Sequence, residues 1–150
     1  MILGLRCSNK DFAYAIMEGT RAKPTLLAED LIAFPKGFSR VQSVTWFSHE
    51  LDAIMDRHPC SKIVIKAFEG RARNNTFVER VEHETVAYFA AARKGIKSVV
   101  RKMKSTTAKD FGLKGRGRYL ATLDKSPIPD FDSKNEKVQE AILAAWSSLG

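Results

Sequence analysis

Ten basic side chains fall between positions 93 and 118 of this 150-residue chain: Arg93, Lys94, Lys97, Arg101, Lys102, Lys104, Lys109, Lys114, Arg116 and Arg118. One acid, Asp110, stands among them, so the segment carries +9 and the remainder of a +8 chain sums to −1. Charge distributed so unevenly points to a polyanionic partner; the alternative is a solvated basic face that maintains solubility. Lys104, Lys109, Lys114, Arg116 and Arg118 alternate with Gly112, Gly115 and Gly117, and glycines let a backbone follow a phosphate chain closely. Arg71 and Arg73, with Asn74 and Asn75, make a second basic, polar loop. Lys and Arg neutralise phosphates without reading bases, so binding through these residues should be salt-sensitive and weakly sequence-specific. Tyr119 is the aromatic side chain placed to stack on a base, while Phe68 and Phe111 are expected in the core.

The other chemistry-bearing residues form no established catalytic spacing. Glu82-His83-Glu84 lacks the HExxH interval that puts two histidines on one helix face, and neither a phosphate-binding loop nor a nucleophile elbow is present. His49, His58 and His83 are expected to be exposed, and Glu69, Glu79, Glu82, Glu84, Asp130, Asp132 and Glu136 to be mostly solvated surface acids. Cys7 and Cys60 are too few for a disulfide framework and have no zinc spacing. If their strands are parallel neighbours, they lie at opposite ends of a sheet and stay reduced. No apolar run approaches the roughly 20 residues of a membrane span, and a secretory signal is not expected, since no basic stretch followed by an apolar h-region is seen. These features are those of a cytoplasmic protein without a membrane partner.

The elements that must position these residues follow from periodicity. Residues 2–6 and 11–17 read as two strands joined by the turn Cys7-Ser8-Asn9-Lys10, and 25–34 as a third. Val41, Val44, Phe47, Leu51, Ile54 and Met55 mark one face of a helix behind a Ser39 N-cap. Residues 61–68 are a short β-branched strand. In the helix 76–93, Phe77, Val78, Val81, Thr85, Tyr88, Phe89 and Ala92 share the apolar face, and Gly95 closes it. A fifth strand over 96–103 leads to a short helix from Ser105 to about Gly112 and a helical turn at 119–123. An extended stretch with two prolines follows, and Ser133 caps a last helix with Val138, Ala141, Ile142, Ala145 and Trp146 inward. The expectation is a single α/β domain over 1–150, a mixed five-stranded sheet with its first three strands antiparallel and helices on both faces.

That order is the order of an RNase H-like domain, and the segments resemble the RuvC-type Holliday-junction resolvases and small bacterial domains of the same superfamily. ILGLRCSN resembles the family's first strand, KIVIKAF its fourth, FVERVEHETVAYFAAARKGI its central helix, RKMKSTTAKDFGLKGRGR its fifth strand and following basic segment, and KVQEAILAAWSS its final helix. The resemblance covers most of the chain in order and character, without a diagnostic motif. It implies a two-metal nuclease site built from clustered carboxylates. Carried over by position, the first-strand acid becomes Arg6, the fourth-strand acid Lys66 and the first acid of the final helix Lys137, leaving only Glu140. Such charge reversal repels magnesium, so the resemblance implies a degenerate site with no metal or other cofactor. Arg6, Lys66 and Glu140 should then converge, with Glu140 accepting hydrogen bonds from Arg6 or Lys66.

Three functions stay open at this point. One is a non-catalytic nucleic-acid-binding protein that contacts phosphates of DNA or RNA through Arg71, Arg73, Lys104, Lys109, Lys114, Arg116 and Arg118. The second is a magnesium- or manganese-dependent nuclease with relocated ligands, Glu69 with Asp132 or Glu136. The third is a protein-interaction module. The resemblance also implies pairing of two copies through a helical face, for which Phe77, Tyr88, Phe89 or Trp46 could supply apolar surface.

Overall fold

The structure, a computed structural model, describes residues 1–70, 75–114 and 116–150. Strand β1 (Ile2–Cys7) pairs antiparallel with β2 (Asp11–Gly19), which pairs antiparallel with β3 (Pro24–Ala33). Helix α1 (Arg40–Arg57) leads to β4 (Lys62–Lys66), which lies parallel to β1 on its other side. Helix α2 (Asn75–Arg93) returns the chain to β5 (Ser98–Lys102), parallel to β4, so the sheet order is β3-β2-β1-β4-β5. Helix α3 (Lys104–Asp110), 3-10 turns at Gly117–Thr122 and Phe131–Ser133, and helix α4 (Glu136–Trp146) complete the chain. The mixed sheet with three antiparallel strands and helices on both faces is the architecture the residue pattern predicts.

Two-residue alternation divides the core. Leu3, Leu5 and Cys7 of β1, Phe12, Tyr14 and Ile16 of β2, and Ile63 and Ile65 of β4 pack against Phe47, Leu51 and Ile54 of α1 and the alanines 87, 90 and 91 of α2. Ile2, Ala13, Ala15, Met17 and Val64 face the other way, onto Val138, Ala141, Ile142, Ala145 and Trp146 of α4. Gly4 lets α4 lie directly on β1: a Cβ there would stand 2.0 Å from the Ala141 carbonyl oxygen. Any larger residue at position 4 would lift α4 from the sheet.

The caps agree with the sequence in part. Ser39 caps α1, accepting from the Gln42 amide while the Gln42 side chain accepts from the Ser39 amide. Gly95 adopts φ +71° beyond α2. Helix α4, however, is capped by Asn135 and not by Ser133, because the segment before it winds into a 3-10 turn that takes Ser133. In α1, Val41 points to solvent and Ser43 is buried.

The largest departure is α2. Its sheet-facing side carries Arg80, His83, Glu84, Ala87, Ala90 and Ala91, all buried. Val78, Tyr88 and Phe89, expected inside, are exposed, Phe89 by 65%, and Thr85 and Ala92 are exposed with them. Phe77 and Phe68, both expected inside, are half-buried and outside the two core layers, with their rings 4.9 Å apart. The charged side turns inward because its charges find partners: Arg101 donates to Glu84 at 2.7 and 3.1 Å, and Arg80 Nε stands 3.4 Å from the same carboxylate. Alanines above them allow the helix to approach closely.

His83 is also buried rather than exposed. Its Nδ1 donates to the Ser8 carbonyl at 2.8 Å, its Nε2 accepts from Arg40 at 3.2 Å, and its ring stacks on Phe34. Burial first, then the Arg40 charge, lower its pKa from the ordinary value. Cys7 and Cys60 are free thiols at opposite ends of the parallel β1–β4 pair, and burial pushes both upward, Cys60 to about 11. Among the described residues no helix is long and apolar enough to cross a membrane.

Candidate nucleic-acid interface

Alternation that buries Leu3 and Leu5 against α1 and α2 puts Ile2, Gly4 and Arg6 on the α4 face. The same rule sets Lys66 beyond Val64 on that face, and Lys66 is in register with Lys102 on β5. Three neighbouring strands thus end in a row of cations under one helix. Each cation has an acid. Arg6 Nε donates to Glu140 Oε2 at 2.6 Å, as the charge argument expects. Lys66 Nζ donates to the Ala67 carbonyl at 2.7 Å and to Glu69. Lys102 donates to Asp110 at 2.6 Å and to Ser147 at 3.1 Å. The Arg6–Glu140 contact follows from the seat of α4 on Gly4, because Glu140 precedes the Ala141 carbonyl that covers this glycine.

Lys137 does not join this group. It donates to Asp11 Oδ1 at 2.6 Å and to Ser8 Oγ at 3.4 Å, tying α4 to the β1–β2 turn. Burial alone would raise the Asp11 pKa, but hydrogen bonds from Lys137 and Ser8 and the Lys137 charge outweigh it and lower the carboxyl below its usual value.

Arg6, Lys66, Glu69, Arg80, Lys104 and Glu140 line an open cleft of about 240 Å³, with Phe68 and Gly70 at its wall. An adjoining cavity of about 280 Å³ shares Lys104 and Glu140 and continues past Gly117, Arg118 and Lys125. Gly117 fits here because a Cβ would stand 2.5 Å from that of Lys104. Lys104, Lys109, Lys114, Arg116 and Arg118 are all exposed, and none has an ion-pair partner among the described residues. Lys114 Nζ and the Arg118 guanidinium lie 5.4 and 5.1 Å from the Tyr119 ring centre, so two cations cover the aromatic that was a stacking candidate. Phe111 packs on Trp146 at 5.0 Å. Arg71 and Arg73 fall outside the described residues.

The donor set on the cleft does not fit a pair of divalent ions: four cations face two carboxylates, both already paired with cations. Among the described residues no three His, Cys, Asp or Glu side chains are grouped to hold a metal. Glu69 accepts from Lys66 and from the Lys104 amide at 3.1 Å, Glu136 lines the adjoining cavity, and Asp132 lies in a separate cavity of about 680 Å³ with Asp124 and Asp130. Two residues of this region were not legible as such in the sequence, Arg80 and Lys102. The spacing of Arg80 and Glu84 with Ala87 and Ala91 was the available signal, a helix stripe in which small residues continue a charged pair.

No protein-family model matches the chain, and no curated protein matches it in sequence. Solved structures do match in shape. Thermus thermophilus RuvC in complex with Holliday junction substrate superposes with a TM-score of 0.75 at 11% identity, covering 97% of this chain and 90% of that one. The yeast mitochondrial Holliday junction resolvase gives 0.61 at 12% identity, over 97% and 77%. The fowlpox virus resolvase, in complex with substrate Holliday junction DNA, gives 0.55 at 11% identity, over 99% and 98%. The fold of this chain is therefore the RNase H-like fold of the RuvC resolvases.

Proposed function

We propose that the protein binds nucleic acid through phosphate contacts on this nuclease fold, without acting as a metal nuclease. The observation that carries the reading is the contrast in pairing: cations on the strand ends have acids, whereas Lys104, Lys109, Lys114, Arg116 and Arg118 are exposed and have none among the described residues. Unpaired cations fronting a groove are what phosphate neutralisation requires. Arg71 and Arg73 are proposed on their sequence alone as further phosphate contacts. Support also comes from the similar structures, of which the Thermus and fowlpox resolvases are complexed with Holliday junctions. The positions Arg6, Lys66, Lys137 and Glu140 are read as a degenerate metal site in which charge reversal has replaced ion binding by internal pairing.

The exposed stripe of Val78, Tyr88 and Phe89 on α2 supports a second feature, pairing of two copies through this helix. Sedimentation equilibrium of the wild type and a Phe89→Glu variant tests it: a dimer that dissociates in the variant supports pairing, and a monomeric wild type ends it.

The function is tested by fluorescence anisotropy with labelled four-way junction, duplex DNA and RNA–DNA hybrid in EDTA, from low to physiological salt. The expected result is binding that weakens steeply with salt. Absence of binding at low salt would leave a nuclease fold used for protein contacts. Cleavage of any probe after addition of magnesium or manganese, lost on neutralising Glu69 or Asp132, would replace the reading by a nuclease with relocated ligands.

A further inference from the structure

We propose that the cleft between Arg6, Lys66, Arg80 and Lys104 seats one backbone phosphodiester directly on these cations, with no metal ion between. The inference rests on the nucleic-acid reading above and assigns it a specific anion site.

Charge gives the first argument. Four cations surround an open cleft of about 240 Å³, and carboxylates pair three of them, Arg6 with Glu140, Lys66 with Glu69 and Arg80 with Glu84, which leaves the Lys104 charge uncompensated. Low-dielectric walls strengthen the attraction for an anion relative to the open surface. A phosphodiester, with one negative charge and two free oxygens, matches the excess without overfilling the space.

Unused donors give the second. Arg80 is 7% exposed, and its one hydrogen bond among the described residues is from Nη2 to the Lys66 carbonyl at 3.0 Å. Its buried Nε makes no hydrogen bond among the described residues and faces the Glu84 carboxylate at 3.4 Å. Lys104 Nζ has no partner among the described residues, and Lys66 uses two of three donors. A donor left without an acceptor is costly, and a phosphate oxygen supplies one to Lys104 and to the remaining Lys66 donor.

Continuity gives the third. Lys104 and Glu140 belong both to the cleft and to the cavity that runs on to Arg118 and Lys125. A strand lying across the exposed cations can lower one phosphate past Lys104. The larger cavity at 121–133 has the opposite character, with Asp124, Asp130 and Asp132 on its wall, and repels the same group.

The test uses four-way junctions in EDTA, each with one neutral methylphosphonate linkage at a different position, titrated against the wild type, Lys66→Gln, Lys104→Gln and the surface control Lys97→Gln. Lys66 is decisive because its ammonium is buried and meets DNA only if a phosphate enters the cleft. The expected profile has one linkage per bound strand whose neutralisation weakens binding about tenfold, a single lost phosphate contact. That penalty disappears in Lys66→Gln and Lys104→Gln and persists in Lys97→Gln. If Lys66→Gln fails to fold, the linkage profile of the wild type and the exposed Lys104→Gln variant still decide. A flat profile with intact binding overturns the phosphate seat and leaves the nucleic-acid function standing. No binding of any junction at low salt overturns both. Stabilisation by inorganic phosphate that depends on Lys66, together with a flat linkage profile, overturns the phosphodiester in favour of a free phosphate ligand.

Discussion

The row of cations under α4 and the basic segment that begins at Lys104 meet at one cleft but are opposite in state. Arg6, Lys66 and Lys102 are each held by a carboxylate from another element, Glu140, Glu69 and Asp110. Lys109, Lys114, Arg116 and Arg118 face solvent, and their charge is not spent on the fold. Both regions raise the net charge, yet only the second can exchange counterions for phosphates at little structural cost. Basic composition alone therefore says less about binding than the list of which cations already have acids.

The comparison can be broken first at its most buried point. Glu84 is 2% exposed and serves both Arg80 and Arg101. Glu84→Ala should cost about 3 kcal/mol in urea unfolding, because it strands Arg80 in the interior. A loss below about 1 kcal/mol would show that α2 does not depend on its charged side. Glu140→Gln should cost less, about 1–2 kcal/mol, since Arg6 and Glu140 retain some solvent and the amide oxygen still accepts. Unchanged stability would mean that the Arg6 pair does not hold α4 to the sheet.

A pH titration sharpens the same contrast. His83 has its pKa lowered in the folded protein, so its contribution is complete above the unfolded value of about 6.5 and is lost as pH falls through the folded value. The urea midpoint should fall with pH below about 6.5, and less steeply in His83→Gln. Equal slopes would place the acid sensitivity elsewhere. The smallest effect on stability is expected from neutralising Lys114, Arg116 and Arg118 together with glutamine, within about 0.5 kcal/mol, as for surface residues without partners. A larger loss would mean that these cations support the fold after all.

The sequence specifies the sheet well because two-residue alternation in β1, β2 and β4 and the short polar turns determine which side chains face each helix layer. The row of Arg6, Lys66 and Lys102 follows from that alternation once α4 is known to lie on Gly4. Helix α2 shows where the pattern misleads. Its apolar residues form an unbroken stripe, but burial goes to the side on which alanines permit close approach and Arg101 neutralises Glu84. That pairing spans 17 residues, and no local periodicity reports it. The burial of His83 escapes the pattern for the same reason: its acceptor, the Ser8 carbonyl, lies 75 residues away. The 3-10 turn that displaced the Ser133 cap depends on Phe131 entering the α4 core, a tertiary event that composition does not signal.

The central claim is that unpaired charge is the binding charge, and the salt dependence of junction binding tests it most directly. The slope of log K against log salt should fall in magnitude by about 3 between the wild type and the Lys114→Gln, Arg116→Gln, Arg118→Gln triple variant, roughly one unit per phosphate contact removed. An unchanged slope with unchanged affinity would show that these exposed cations do not meet nucleic acid, and would contradict the account.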